Sequence, residues 1–296
     1  MRSALFKHSN ESDRDPGQWT NLPGLCCQAA GGEFDRAEEF TQAWVLFYAG
    51  AGILDKIEDR DPPDAWWAEV GEGAAINAAS GLYFTASLLL NHLHRRKETC
   101  ELAGEIIEDF YQTLLKMSSG QHRDLITPEP TLEEYWEIVT VKSGEFFSLA
   151  CRCGARLATR ESSRVQCYSN FGLHLGILLQ ILDDLEDLKD LNKGFIESKS
   201  NDIRRSLPLI YLFQVSSHQK RIEIQELLRL VPEDMDAGKR LFECIDQAGA
   251  AFYLLTEFEK QRLRALEALD KAIPDPKAGS RLVEMLPKIE TIRNQE

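Results

Sequence analysis

Nothing in this chain pairs cysteines into a framework. Its seven cysteines are an odd number; Cys26 and Cys27 are adjacent, Cys151 and Cys153 are two apart, and no pair has the three-residue spacing of a metal-binding C-x-x-C. That usage excludes a disulfide scaffold and a zinc ribbon and fits reduced thiols in the cytoplasm. Positive charge is also short. Thirty-four Lys and Arg face 48 Asp and Glu, for a net charge of −14. A surface of that sign has no basic face for nucleic acid or an anionic bilayer. A small phosphorylated molecule is still allowed, since a few local bases and a metal can meet it. Residues 1–21 are polar and lack the apolar segment of a signal peptide. The longest uncharged run, Gly73 to Asn91, holds two Asn, two Ser, two Gly and a Thr. It reads as a buried helix rather than a transmembrane segment.

Strand signals are missing as well. No alternating apolar and polar run is bounded by glycine-rich turns, and no internal repeat is visible. From Leu22 onward the apolar spacing is helical, and the prolines fall between the helical segments, at Pro62 and Pro63, Pro128 and Pro130, Pro208, Pro232, Pro274 and Pro276. The expectation is an all-α single domain over 21–296, a helical bundle with a central apolar channel, preceded by a loosely attached tail over 1–20.

Two helices carry carboxylates. The stretch Gly172 to Asp190 has one stripe of Phe171, Leu175, Leu178, Leu182 and Leu185. A second stripe holds Gly172, Gly176, Gln180, Asp183, Asp184 and Asp187. Like charges at that spacing disfavour a bare helix, so a cation is expected there. Oxygen donors without His or Cys suit Mg2+, which bridges to phosphates. The helix from about Glu33 to Asp59 repeats the pattern. Asp55 and Asp59 end it, Gly52 and Ala51 precede them, and Tyr48, Phe47 and Trp44 lie further down. Asp55 to Tyr48 is about 10 Å along the axis. With these faces opposed, two acidic clusters frame an apolar channel. The alternatives are a solvated helix end and glycines that serve close packing alone.

Cys100 to Met117 reads as an amphipathic helix with Glu101, Glu105, Glu108 and Asp109 outward. Thr131 to Thr159 reads as one long helix opened by a capping box. Lys142 lies in its apolar part, where it either meets an anion or snorkels to solvent. The polar segment from Lys189 to Asp202, followed by Arg204, is a candidate lid or an ordinary connection. Ala251 to Ile273 is the clearest of the later helices, with Leu255, Phe258, Leu263, Leu266 and Leu269 inward.

These motifs resemble, in order and over nearly the whole chain, those of the trans-isoprenyl diphosphate synthases (the polyprenyl synthetase family). Leu179 to Asp187 resembles the second aspartate-rich motif F-Q-I-x-D-D-x-x-D. Gly120, Gln121 and Asp124 resemble G-Q-x-x-D, and Lys142 to Gly144 resembles K-T-G/A. Arg204, Ser206 and Pro208 resemble K-x-T-x-P with Arg in place of Lys. The resemblance implies an antiparallel all-α bundle, usually a homodimer, in which Mg2+ is held by Asp55, Asp59, Asp183, Asp184 and Asp187. It implies that Lys142, Gln180, Arg204 and Gln121 meet the diphosphate. It places Trp44, Phe47, Tyr48, Ala51, Gly52, Gly172 and Gly176 along the prenyl channel, with an allylic prenyl diphosphate as substrate.

The departures are specific. The first motif, D-D-x-x-D, is Asp55-Lys56-Ile57-Glu58-Asp59 here, so Lys56 stands in place of a carboxylate. Arg60, Asp61 and the two prolines follow where an Arg pair is usual. The early G-G-K-x-x-R-P stretch, near Gly17 to Pro23, keeps only its Pro. The allylic site is thus mostly kept, and the isopentenyl diphosphate pocket largely lost. Expected activities are prenyl transfer in isoprenoid biosynthesis, cyclisation or hydrolysis of the prenyl cation, or transfer to another acceptor such as a peptide tryptophan. Outside catalysis, the chain is expected as a partner subunit that binds prenyl diphosphate or another synthase. The small Gly50 and Ala51 before Asp55 imply room for a medium-to-long prenyl chain.

Overall fold

The computed structural model describes residues 19–59, 69–192, 200–231 and 234–288, and every described element is helical. Most of the expected tail, and the residues after Asp59 and after Asn192, therefore lie outside the described residues. Trp19, at the start of the description, is buried edge-on against Phe147 with ring centroids 5.9 Å apart.

The elements are α1 (Leu22–Ala29), α2 (Glu38–Glu58), α3 (Glu72–Leu90), α4 (Cys100–Ile126), α5 (Leu132–Val139), α6 (Glu145–Ala158), α7 (Ser162–Asn192), α8 (Ser200–Arg205), α9 (Leu207–Val215), α10 (His218–Leu230), α11 (Met235–Gln247), α12 (Ala250–Lys271) and α13 (Pro276–Glu284). Helix α5 opens with the expected capping box. The Thr131 hydroxyl accepts from the Glu134 backbone N–H, and the Glu134 carboxylate accepts from the Thr131 N–H at 2.9 Å. The long helix expected from Thr131 to Thr159 is continuous but loosened once, by a π turn over Thr140–Gly144 that joins α5 to α6. A π turn sheds one regular hydrogen bond and re-aims the side chains on it. Lys142 and Ser143 are those side chains.

Helix α7 is the centre of the bundle, packed between α6 on one side and α12 on the other. Its apolar stripe is wholly inside: Phe171, Leu175, Leu178, Leu182 and Leu185 are all buried. Helices α6 and α7 run antiparallel in close contact. A Cβ on Gly172 would overlap the carbonyl oxygen of Phe147, and one on Gly176 that of Ser143. These two glycines were expected along the prenyl channel. They instead face the backbone of α6 and the π turn, because only hydrogen fits where two helix backbones approach this closely.

Three further expectations change. Helix α4 runs nine residues beyond Met117, to Ile126, so Gln121 and Asp124 stand on its last turns. Asp109 does not point outward: Arg152 of α6 holds it with contacts of 2.7–3.0 Å. On α12 the inward stripe is Leu254, Phe258, Ala265 and Leu269, while Leu263 is exposed.

Helix α3 differs most. It was expected to be buried, but of its residues only Ala75, Ala79, Ala86 and Leu90 are. The other face holds Gly73, Asn77, Gly81, Phe84 and Leu88 at helical spacing, with Phe84 70% and Leu88 67% exposed. The span Glu72–Arg95 is long and apolar enough to cross a membrane by length and composition.

Candidate active site

The first acidic helix, α2, delivers Asp55 and Asp59 to one end of the bundle, and two cations from other elements meet them there. Lys142 Nζ, on the π turn, stands 3.0 Å from Asp55 Oδ1 and 3.1 Å from Asp124 Oδ2. Arg205, the last residue of α8, places Nη2 2.9 Å from Asp59 Oδ1 and Nη1 3.6 Å from Asp124 Oδ2. Asp124 therefore lies between the two bases, and the chain Asp55–Lys142–Asp124–Arg205–Asp59 joins α2, α4, the π turn and α8. Burial works against the Lys142 charge, but Asp55, Asp124 and Asp59 outweigh it and hold the ammonium well above its ordinary range. Lys142 is thus a fixed cation at neutral pH.

The second acidic helix presents its carboxylates unequally. Asp183 is exposed at the end of the bundle. Asp184 is 4% exposed and engaged on both oxygens. Its Oδ2 accepts from the Tyr135 hydroxyl at 2.6 Å and from the Leu207 backbone N–H at 2.8 Å, and its Oδ1 accepts from Gln180 Nε2 at 3.2 Å. Asp184 thereby caps the first turn of α9 and ties it to α5. The side chain of Asp187 lies outside the described residues. Gln180 also accepts from the Ser143 hydroxyl at 2.9 Å, so the π turn and the second acidic motif are directly linked.

The remaining site candidates are spread around this end. Arg204 points away from the carboxylates of α2 and meets Glu129 at 3.4 Å, while its neighbour Arg205 takes the inward position. Successive residues on a helix turn by about 100°, so only one of the two can face the cluster. Gln121 donates to Glu58 at 2.9 Å, and its buried Oε1 has no partner.

Below Asp55 the wall of α2 is aromatic. Trp44 lies flat against Phe146 with centroids 4.6 Å apart and against Tyr48 at 6.1 Å, and its Nε1 donates to the Phe146 carbonyl. Tyr48 is 40% exposed, whereas Trp44 and Phe146 are buried. Gly52 has open space beside it, and Ala51 is half-buried. The space left by Gly50 is filled by the Tyr83 ring from α3, which stacks on Phe47 at 4.6 Å. Burial and the nearby Glu58 and Asp55 push the Tyr83 phenol up to about 12.

The residues that reading by motif left out of the site are Asp124 as a bridge, Arg205, Tyr135, Tyr83 and Phe146. Each comes from a different element than the residue it touches. Two of them had a signal: Asp124 as the last residue of the G-Q-x-x-D resemblance, and Arg205 as a second base beside Arg204.

Among the described residues, no three Asp, Glu, His or Cys side chains converge to hold a metal unaided. Mg2+ takes one or two carboxylates and fills its other positions with water and phosphate oxygens. Asp55, Asp59 and the exposed Asp183 offer that donor set. It offers no nitrogen or sulfur for a softer ion.

The comparisons with known proteins agree with this geometry. The family described as polyprenyl synthetase matches residues 25–245. Among curated proteins, the chain is 32% identical over 246 residues to geranylgeranyl pyrophosphate synthase dpasD of Apiospora sacchari, covering 79% of this chain and 66% of that protein. It is 28% identical over 214 residues to geranylgeranyl pyrophosphate synthase 2 of Zymoseptoria tritici, covering 68% and 60%. It is also 32% identical over 158 residues to the tryptophan prenyltransferase ComQ of Bacillus subtilis subsp. natto, covering 53% and 47%. The chain thus spans less than two thirds of the length of these relatives. Among solved structures, the geranylgeranyl pyrophosphate synthetase of Pyrococcus horikoshii superposes with a TM-score of 0.77 at 22% identity, over 91% of this chain and 84% of that one. The polyprenyl synthase of Caulobacter crescentus complexed with calcium and isoprenyl diphosphate gives 0.78 at 18%, over 96% and 86%. With three quarters of its length matched by the family and its helices arranged as in these neighbours, the chain belongs to the polyprenyl synthetase family.

Proposed function

We propose that the chain is a Mg2+-dependent prenyltransferase that ionises an allylic prenyl diphosphate. The observation that carries this reading is the pair of inward bases, Lys142 and Arg205, set among Asp55, Asp59 and Asp124 at the top of an aromatic wall. Asp55, Asp59 and Asp183 would hold Mg2+, with Asp187 as the motif's further candidate. When bound, the metal supplies charge that offsets the negative charge developing on the leaving diphosphate. Lys142 adds a fixed ammonium to those oxygens as the C–O bond lengthens. Gln180, which accepts from Ser143 and gives one amide hydrogen to Asp184, has a second amide hydrogen that would donate to the same group. Tyr48, the exposed member of the stack with Trp44 and Phe146, would stabilise an allylic cation with its ring, and the buried rings behind it would help exclude water. Arg204 keeps its place as a diphosphate contact if a substrate draws it from Glu129, a pair that is only partly buried. Gln121 has a buried oxygen free to accept a bond.

The acceptor sets the outcome. Isopentenyl diphosphate is the default for synthases, but the Lys and Arg of G-G-K-x-x-R-P have no counterpart near Gly17 to Pro23. Transfer to a different acceptor is the second reading, supported by the similarity to a tryptophan prenyltransferase. We further propose a homodimer, with the exposed face of α3 as the contact between copies. Gly73 and Gly81 on that face have nothing beside them and would let a second helix approach. The free thiols support a reducing cytoplasmic location.

The test is product analysis with geranyl, farnesyl and geranylgeranyl diphosphates and Mg2+, each with and without isopentenyl diphosphate. Elongated diphosphates only in the paired reactions identify a chain-extending synthase. Diphosphate release with a hydrocarbon or alcohol in both arms identifies a cyclase or hydrolase. No release in either arm, with or without a tryptophan-containing peptide, overturns the enzymatic reading.

A further inference from the structure

The family's first acidic motif has lost a carboxylate to Lys56 here, and the two that remain are each already paired with a protein cation. Asp55 holds Lys142, and Asp59 holds Arg205 at 2.9 Å. Arg205 stands at the unspecified position of the K-x-T-x-P motif, directly after the Arg that takes the Lys position. It is the better enclosed of the two arginines. Its side chain is 13% exposed, against 13% for Asp59 and 14% for Asp124, whereas Arg204 faces the half-exposed Glu129. Both terminal nitrogens of the guanidinium are used: Nη2 on Asp59, and Nη1 toward the carboxylate and, at 3.4 Å, the backbone carbonyl of Asp124. A planar fork held at both ends is a rigid counter-ion, which a lysine could not reproduce.

We propose that Arg205 is a positioning residue that serves as the resident counter-ion of Asp59. It does there continuously what a divalent ion at the first acidic motif does only when bound. Within the cluster, the three carboxylates Asp55, Asp59 and Asp124 meet two bases, Lys142 and Arg205. Arg205 also ties the end of α2 to the start of α9 through the junction of α8, so the two acidic helices keep their spacing before substrate arrives. The consequence is a site in which Asp59 draws on Mg2+ less than Asp55 and Asp183 do. This inference rests on the reading of the cluster as a diphosphate site.

The experiment compares the wild type with Arg205→Ala and Arg205→Gln by thermal unfolding in EDTA, in Mg2+, and in Mg2+ with inorganic diphosphate. In EDTA, Arg205→Ala should unfold about 5 °C lower, since a buried carboxylate loses its partner. Added Mg2+ should then raise its midpoint at least about twofold more than it raises the wild type, because the freed Asp59 now takes up metal. Arg205→Gln, which keeps the stem and a donor but not the charge, should show the larger Mg2+ response with a smaller loss in EDTA. A purely structural arginine would lower the midpoint and leave the Mg2+ response unchanged. Equal Mg2+ responses in wild type and both variants overturn the proposal. No shift of the wild type by diphosphate with Mg2+ counts against the diphosphate site, while the Mg2+ comparison still decides the role of Arg205.

Discussion

Asp184→Ala separates two roles that the motif alone assigns to one pair of residues. Both Asp183 and Asp184 sit in the second aspartate-rich motif, yet Asp184 is buried and Asp183 exposed. Removing the Asp184 carboxylate strands two buried donors, the Tyr135 hydroxyl and the Leu207 N–H. Each costs about 1–3 kcal/mol when left without an acceptor. Relief of the carboxylate's own burial offsets part of this, so a net loss of about 3 kcal/mol is expected. For a domain of this size that lowers the midpoint by about 5–10 °C. Asp184→Asn keeps an oxygen for Tyr135 and Leu207 and should cost about 1 kcal/mol. Asp183→Ala should stay within about 0.5 kcal/mol of wild type, as surface changes do, while weakening Mg2+ uptake. Urea unfolding of the three variants, with Mg2+ titration followed by intrinsic tryptophan fluorescence, reads both quantities. Equal stability of Asp184→Ala and wild type would refute the assignment of Asp184 as the tie between α7, α5 and α9.

Other substitutions probe the bundle and its surfaces. Gly172→Ala should cost about 2–3 kcal/mol by forcing α6 off α7, whereas Gly52→Ala, in open space, should gain about 0.5–1 kcal/mol from helix propensity; urea midpoints report both. Burial would raise the Asp109 carboxyl, but the Arg152 hydrogen bond and the charges of Arg152 and Arg156 hold it below its ordinary value. Its contribution is therefore full above the unfolded pKa and lost as pH falls through the lower folded one. Asp109→Asn should thus be less stable by about 3 kcal/mol at neutral pH, with the gap closing below about pH 4 in unfolding curves taken across pH. Phe84→Glu should shift any dimer to monomer in light scattering while leaving the unfolding midpoint of the monomer unchanged. Ala51→Phe should shorten the longest prenyl diphosphate accepted; an unchanged substrate profile would remove this face from the channel.

Much of the molecule was legible in the residues. Helical spacing, with prolines between segments or in the first turn of one, determined an all-α chain, because 3.6-residue periodicity leaves no other way to bury the apolar stripe of α7. The capping box at Thr131 located a helix start, and the order of acidic and basic motifs singled out the candidate site. These are local properties, carried by neighbours within one or two turns. What the sequence could not decide is which atoms face each other. Gly172 and Gly176 share a stripe with Gln180 and Asp184, but their use as packing points was settled by the approach of α6. Asp124, Lys142 and Arg205 are spread over three elements, and only the bundle brings them together. Of two adjacent arginines, the turn of α8 aimed Arg205 inward and Arg204 out. The open face of α3 is apolar in sequence like any core helix, and only the tertiary arrangement leaves it uncovered in the single chain. Periodicity specifies which residues lie on a common face, whereas the element that covers the face depends on contacts between residues far apart in the chain.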